Sequence, residues 1–138
     1  MSVAQNKALV QRYNKEVIES GNMNLLKQIL TTDFTNHSAL QGMSSGIDGM
    51  IYFFTGILHA AFSDIKVDIQ DMIAEGDKVT TRKVITGTHQ GALMGIPATG
   101  RQVAIKVIDI LTVENGRIKE HWGENNFGSV IQGLGTPG

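Results

Sequence analysis

The hydrophobic period changes near Asp64, and this limits the chain to a small set of folds. Upstream, apolar residues recur at helical spacing; downstream they alternate, as in strands with one buried face. Ser2 and Gln5 form a capping-box pattern ahead of Leu9, Val10, Tyr13, Val17 and Ile18, and Gly21 supplies a stop, so a first helix is expected between them. Asn22 can cap a second helix carrying Leu25, Leu26, Ile29 and Leu30, which Thr31-Thr32-Asp33 breaks; Phe34 to Ser38 is expected to be irregular or extended. After a Gly42 to Gly46 loop, Ser45 and Asp48 offer a cap for a third helix, reaching about Ala60, with Ile47, Met50, Ile51, Phe54, Ile57, Leu58 and Ala61 on one broad apolar face.

From Asp64 onward, Ile65, Val67 and Ile69 alternate with Lys66, Asp68 and Gln70, and Glu75-Gly76-Asp77 turns the chain into a strand from Val79 to His89. The loop Gly91 to Gly100 leads to a strand from Arg101 to Val113. Asn115-Gly116 is a strong hairpin signal, and a last strand is expected from Arg117 to about Phe127. Helices first and an antiparallel meander second predict an α+β class, in one domain spanning residues 1–138. Glycines 87, 91, 95, 100 and 123, in or beside strands, favour bulges and strong bending. A bent sheet crossed by helices makes a cone open at one end, a shape that can hold a small molecule.

Composition excludes several classes of function. With no cysteine among 138 residues there is neither a disulfide framework nor a thiolate metal site. Twelve basic and thirteen acidic residues give a net charge of -1, which supplies no attraction for nucleic acid or an anionic membrane. Met1 to Lys7 contain no signal-like apolar core, and no apolar run is long enough to span a bilayer, so a soluble, cytoplasmic protein is expected. The sequon Asn36-His37-Ser38 is then accidental. Neither a His-Glu-x-x-His run nor a Gly-x-Ser-x-Gly elbow occurs, and no metal site is expected. Gly133 to Gly138 fits the glycine spacing of a dinucleotide loop but does not join a strand to a helix, so no nicotinamide or ATP cofactor is expected either.

Polar residues on apolar strand faces are the candidates for chemistry, because burying an unpaired polar group is costly. Asp109 shares a face with Val103, Ile105, Val107 and Leu111; it is either a hydrogen-bonded structural carboxylate or a general base in a poorly solvated cavity. Alternation along the last strand puts His121, Gly123 and Asn125 on one face and Glu120, Trp122, Glu124 and Asn126 on the other. One face should look into the cone, where His121 or a carboxamide could polarise a carbonyl and Trp122 could form a pocket wall; the alternative is a solvated edge with Trp122 as core filler. His37 and His89 lie at element ends, where site residues concentrate, although a strand-end histidine is also an ordinary structural residue. His59 reads as a C-terminal helix residue. Arg82 stands in a strand half that is polar on both sides, facing solvent, a subunit, or Asp109 in a buried ion pair.

Gly87-Thr-His-Gln-Gly91, Met94-Gly-Ile-Pro-Ala-Thr-Gly-Arg101, Asn115-Gly-Arg-Ile-Lys-Glu-His-Trp122 and Gln132-Gly-Leu-Gly135, with Phe34-Thr-Asn-His37, resemble the signature of SnoaL-like polyketide cyclases, over nearly the whole chain. The resemblance implies an NTF2-like cone of three N-terminal helices on a strongly curved antiparallel sheet. It also implies homodimerisation through the sheet, a small mostly apolar carbonyl ligand, and no cofactor. In such cyclases a carboxylate removes a proton next to a carbonyl, leading to intramolecular aldol closure. The resembling enzymes carry an aspartate just after Glu-His-Trp and often another three residues later; here these positions are Gly123 and Asn126. Neither can take a proton from carbon at neutral pH. Asp109, or Glu124 re-aimed by a bulge at Gly123, is then expected as base, with His121, His89 and Asn126 polarising the substrate and His37, Trp122 and Arg82 completing the site. The alternatives are a non-catalytic binding protein and a hydroxylase-like or hydrolase-like relative using the same pocket.

Overall fold

The computed structural model describes residues 2–136. Helix α1 (Val3–Arg12) starts at a reciprocal cap: the Gln5 N–H donates to the Ser2 hydroxyl at 3.1 Å, and the Ser2 N–H donates to the Gln5 side chain at 2.9 Å. It continues without interruption into a wider π-helical segment, Tyr13–Glu19, which buries Tyr13, Asn14, Val17 and Ile18 together. Gly21, at φ 74°, ends this segment, and Asn22 caps helix α2 (Met23–Ile29) by accepting the Leu25 N–H at 3.0 Å. Helix α3 begins at Ile47–Tyr52, widens through a π segment at Phe53–Leu58, and ends in a turn at His59–Ala61. Its N-cap is Gly46, with no side-chain cap from Ser45 or Asp48.

Five strands form one sheet: β1 (Leu30–Asn36), β2 (Phe62–Glu75), β3 (Lys78–His89), β4 (Gln102–Glu114) and β5 (Arg117–Asn125), in the spatial order β1-β5-β4-β3-β2. The expected meander is present, and its last hairpin turns through Asn115 and Gly116, both at positive φ as a tight two-residue turn requires. Strand β1 departs from expectation. Helix α2 ends just before the threonines expected to break it, and from Leu30 the chain forms a strand that pairs parallel with β5, burying Leu30 and Phe34. β-Branched side chains favour extended backbone, and β5 would otherwise present unpaired backbone groups at an edge.

The chain's end also departs from expectation. β5 stops at Asn125, and residues Phe127–Leu134 form a C-terminal helix that buries Phe127 and Leu134. Arg101 holds its last carbonyls, donating to Gly133 at 3.0 Å, Leu134 at 3.4 Å and Thr136 at 2.8 Å. The glycine-patterned stretch therefore begins inside the last turn of a helix, at Gly133 and Leu134, and Pro137 and Gly138 lie outside the described residues. Bulges between Ser63 and Lys66 and between Ile69 and Asp71 coil the long β2–β3 ribbon around the helices. The core lies between the concave sheet face and α1, α2 and α3, while Ile73, Ile108 and Ile110 remain exposed, the last two on the convex face. Among the described residues, no helix is long and apolar enough to cross a membrane.

Gly91 marks a close backbone approach, since a Cβ built there lies 2.0 Å from the Ala60 carbonyl oxygen, whereas one on Gly128 meets nothing within 4 Å. Gly91→Ala should therefore lower unfolding free energy by about 1–3 kcal/mol in urea titrations. Gly128→Ala should leave it unchanged or raise it by up to about 1 kcal/mol.

Candidate functional site

Strand alternation turns Thr81, Lys83 and Ile85 of β3, Ile105, Val107 and Asp109 of β4, and His121, Gly123 and Asn125 of β5 toward the helices. Register places Thr81, Asp109 and Gly123 side by side across the three strands. Between this surface and α1 and α3 lies a cavity of about 120 Å³. Its wall is mainly apolar, including Tyr13, Met50, Phe53, Phe54, Leu58 and Phe127, and residues Ala39, Leu40, Met43 and Ser44 of the β1–α3 connection complete it. The polar groups at its edge are Asn36, Ser38, Lys83, Asp109, His121 and Asn125.

The polar side chains are joined in one network. Asp109 and Lys83 are each 2% exposed, and Lys83 Nζ donates to Asp109 Oδ2 at 3.0 Å. Asp109 Oδ1 accepts the Thr81 hydroxyl. Lys83 Nζ also donates to Asn14 Oδ1 at 2.6 Å, while Asn14 Nδ2 donates to the Val10 carbonyl at 2.9 Å, which fixes the amide's orientation. Burial alone would raise the Asp109 pKa, but the Lys83 charge, the neighbouring His121 and the Thr81 hydroxyl outweigh it and hold the carboxyl well below its ordinary value. Burial, reinforced by the Asp109 charge, pushes the Tyr13 phenol upward and keeps it protonated.

His121 has a defined tautomer. Asn36 Oδ1 accepts the Ser38 N–H at 3.0 Å, which identifies it as the amide oxygen, and it lies 2.8 Å from His121 Nδ1. Nδ1 therefore carries a proton and donates to Asn36, which turns Nε2 toward Asp109 Oδ2, 3.6 Å away, on a ring that lines the cavity. Gly123 makes room for the ring: a Cβ there would lie 3.0 Å from His121 Cε1 and 3.2 Å from Nε2. The Gly123 N–H donates to Ser38 Oγ at 2.8 Å, so the strand stays regular and no bulge occurs at this position.

Of the residues singled out from sequence, Asp109 and His121 meet at the cavity and the others do not. Glu124 faces away from it, because residue 123 keeps regular register and its neighbour must point to the opposite face. Arg82 does not reach Asp109; one residue away from Lys83, it points outward and pairs with Asp71 at 2.6 Å and with Gln70. Trp122 forms no pocket wall: it stacks on His37, with ring centres 4.6 Å apart, and Lys78 Nζ lies 5.2 Å from its centre. His37 Nε2 is 2.9 Å from Glu120, and its N–H donates to the His121 carbonyl at 2.8 Å, tying the β1–α3 connection to β5 from outside. Asn126 accepts the Lys106 N–H at 2.8 Å and ends the strand. His89 is fully buried away from the cavity; its Nδ1 accepts the Thr99 N–H at 3.3 Å, and its Nε2 has no partner among the described residues. Lys83, Asn14, Asn36 and Ser38 went unrecognised in sequence, although Lys83 does alternate with Val79 and Ile85, and Asn14 does share the helical face of Val10 and Val17.

The model of a family described as SnoaL-like polyketide cyclase matches residues 8–133. Aklanonic acid methyl ester cyclase of Streptomyces peucetius is 22% identical over 131 residues, covering 94% of this chain and 87% of that protein. Nogalonic acid methyl ester cyclase of Streptomyces nogalater is 24% identical over 121 residues, covering 86% and 89%. The structure of TsrD from Streptomyces laurentii superposes with a TM-score of 0.84 at 25% identity, covering 98% of each chain.

Removing one member of the buried pair strands the other in a poorly solvated site. Asp109→Asn should lower unfolding free energy by about 3–5 kcal/mol at neutral pH, and Lys83→Met combined with Asp109→Leu should cost less than that. Because the folded carboxyl titrates below its ordinary value of 3.8, the pair's contribution is complete above that value and is lost as pH falls below it. Denaturant titrations across the acid range should show the wild type losing stability relative to the double variant on acidification; parallel curves would contradict the ion pair.

Proposed function

The chain belongs to the SnoaL-like polyketide cyclase family, and from that premise we propose that it binds a small, mostly apolar carbonyl compound in the cone and abstracts a proton from the adjacent carbon, with His121 as proton acceptor, leading to aldol-type ring closure or isomerisation. The observation that carries this reading is the direction of the imidazole: Nδ1 is committed to Asn36, and Nε2 is left beside Asp109 on a ring that lines the cavity. Asp109, whose basicity is suppressed by Lys83, Thr81 and His121, serves better as the charge that stabilises an imidazolium than as the base. The close approach of a Cβ at Gly123 to His121 supports the same assignment. The imidazole and a side chain at residue 123 compete for one space, and the glycine leaves that space to the imidazole.

The proposed step begins with Nε2 taking the proton from carbon while the C–H electron pair moves onto the carbonyl as an enolate. The enolate carbon then attacks a second carbonyl of the same molecule, forming the ring bond. The Nε2 proton passes to the resulting alkoxide and restores neutral His121. The names of the two methyl ester cyclases support ring closure over other chemistries. A binding protein without turnover is the second reading, favoured by the absence of a carboxylate at Gly123. We also propose homodimerisation through the convex sheet face, supported by the exposed Ile108 and Ile110.

Deuterium exchange at the α-carbon of acetophenone, followed by NMR, tests the role of His121. His121→Gln should slow exchange by about 10²–10⁴-fold, the usual yield of a positioned base. Gly123→Ala should slow it too, by displacing the ring, with little change in the circular dichroism spectrum. Exchange by His121→Gln at the wild-type rate would remove the histidine from the mechanism, and no exchange by wild type would favour the binding-protein reading. In sedimentation runs at micromolar concentration, the wild type should be a dimer and Ile108→Lys a monomer; a monomeric wild type would overturn the dimer.

A further inference from the structure

Lys83 is unusual among the cavity's polar groups because nothing in the proposed proton transfer requires its third hydrogen. An ammonium group has three donors. Asn14 Oδ1 at 2.6 Å and Asp109 Oδ2 at 3.0 Å take two, and the Tyr13 ring centre lies 5.8 Å away. No oxygen acceptor for the third is present among the described residues. The two partners come from different layers, Asn14 from the helical layer and Asp109 from the neighbouring strand. The same lysine also borders the cavity, on the face shared with Ile85, Val107 and Asn125.

The charges around the cavity come in a fixed order. Lys83 is positive and Asp109 negative, and His121 Nε2, 3.6 Å beyond Asp109 Oδ2, becomes positive if it takes a proton. Each carboxylate oxygen of Asp109 already accepts a hydrogen bond, Oδ1 from Thr81 and Oδ2 from Lys83, whereas Lys83 retains an unmatched donor. A ligand oxygen that carries negative charge therefore gains a charge-assisted hydrogen bond at Lys83. A neutral ether oxygen in the same place gains far less.

We infer that Lys83 is the anion-binding pole of the cavity and selects compact ligands bearing an acidic oxygen, an ionised enol above all, over their neutral analogues. This deepens the proposed function, because an oxygen held at Lys83 is where the enolate charge would develop once His121 removes a proton. The body of the ligand is small. A cavity of about 120 Å³ is close to the roughly 150 Å³ that accommodates a benzene ring. Leu40 and Met43, from the β1–α3 connection, would cover its apolar side.

The test compares two probes of nearly the same shape. Dimedone is an acidic cyclic diketone that is largely an enolate at neutral pH, and its methyl enol ether cannot ionise. Calorimetry with wild-type protein should show dimedone binding at least about tenfold more tightly than the ether, the gain expected from one charge-assisted bond. Lys83→Gln should abolish most of that preference, bringing the affinities for the two probes to within about threefold of each other. If Lys83→Gln does not fold, Lys83→Met with Asp109→Leu removes both charges together and should also bind the two probes alike. Equal affinities in wild type, or a preference that survives removal of Lys83, would overturn the inference. The acetophenone exchange assay reads His121 separately. Exchange without the dimedone preference would refute the lysine's role alone, and the preference without exchange would refute catalysis alone.

Discussion

The buried contact between Lys83 and Asp109 organises the molecule more than any other single interaction. Taking each ion out of water costs several kcal/mol even after relaxation, and only close geometry with further hydrogen bonds offsets this. The fold supplies those bonds from sheet and helix alike, Thr81 from β3 beside the pair and Asn14 from the π segment after α1, and it sets His121 of β5 3.6 Å from the carboxylate. Helix and sheet are thereby fixed to each other at a buried polar point within a largely apolar interface. An apolar pair of the same volume would hold the layers as well or better. What the ion pair adds is a charged floor to a cavity whose other walls are largely hydrocarbon and aromatic.

How far that floor was legible in the sequence depended on contrast with the surroundings. Asp109 was visible because it interrupts a run of apolar residues on its own face. Lys83 was not, since Thr80, Thr81 and Arg82 make the start of its strand polar on both sides, and a one-residue choice between Arg82 and Lys83 decides which cation is buried. The antiparallel strands announced themselves through alternation and turn residues. β1 lacked both signals, because its parallel partner β5 lies far along the chain and no hairpin joins them. The C-terminal helix was hidden by Gly128 and Gly133, which weaken local helical preference, and it is held instead by Phe127, Leu134 and the Arg101 contacts.

Histidines illustrate the same limit at the level of function. All four are plausible by residue type, yet their surroundings divide them. His37 braces the outside of the β1–α3 connection, His59 bonds the Ile18 carbonyl at 2.7 Å, and His89 secures the β3–β4 loop. Only His121 combines a fixed tautomer with a nitrogen at the cavity. Its selection required Asn36, a residue whose part in the site depends on the unforeseen strand β1. Missing the strand therefore meant missing the group that orients the imidazole.

Gly123 connects these points. Side by side with Asp109 and with no bulge beside it, it is the smallest member of an inward-facing row that also includes Thr81. A larger residue there would crowd the imidazole, and a displaced register would turn His121 outward with the rest of its face. The absence of a side chain is thus a positional requirement of the histidine as much as the loss of a carboxylate. Seen this way, the cavity has not simply lost an acid at one position. Its buried charges stand on β3 and β4, and the imidazole proposed to take the proton stands beside them on β5. The sheet register that shapes the cone also sets that order.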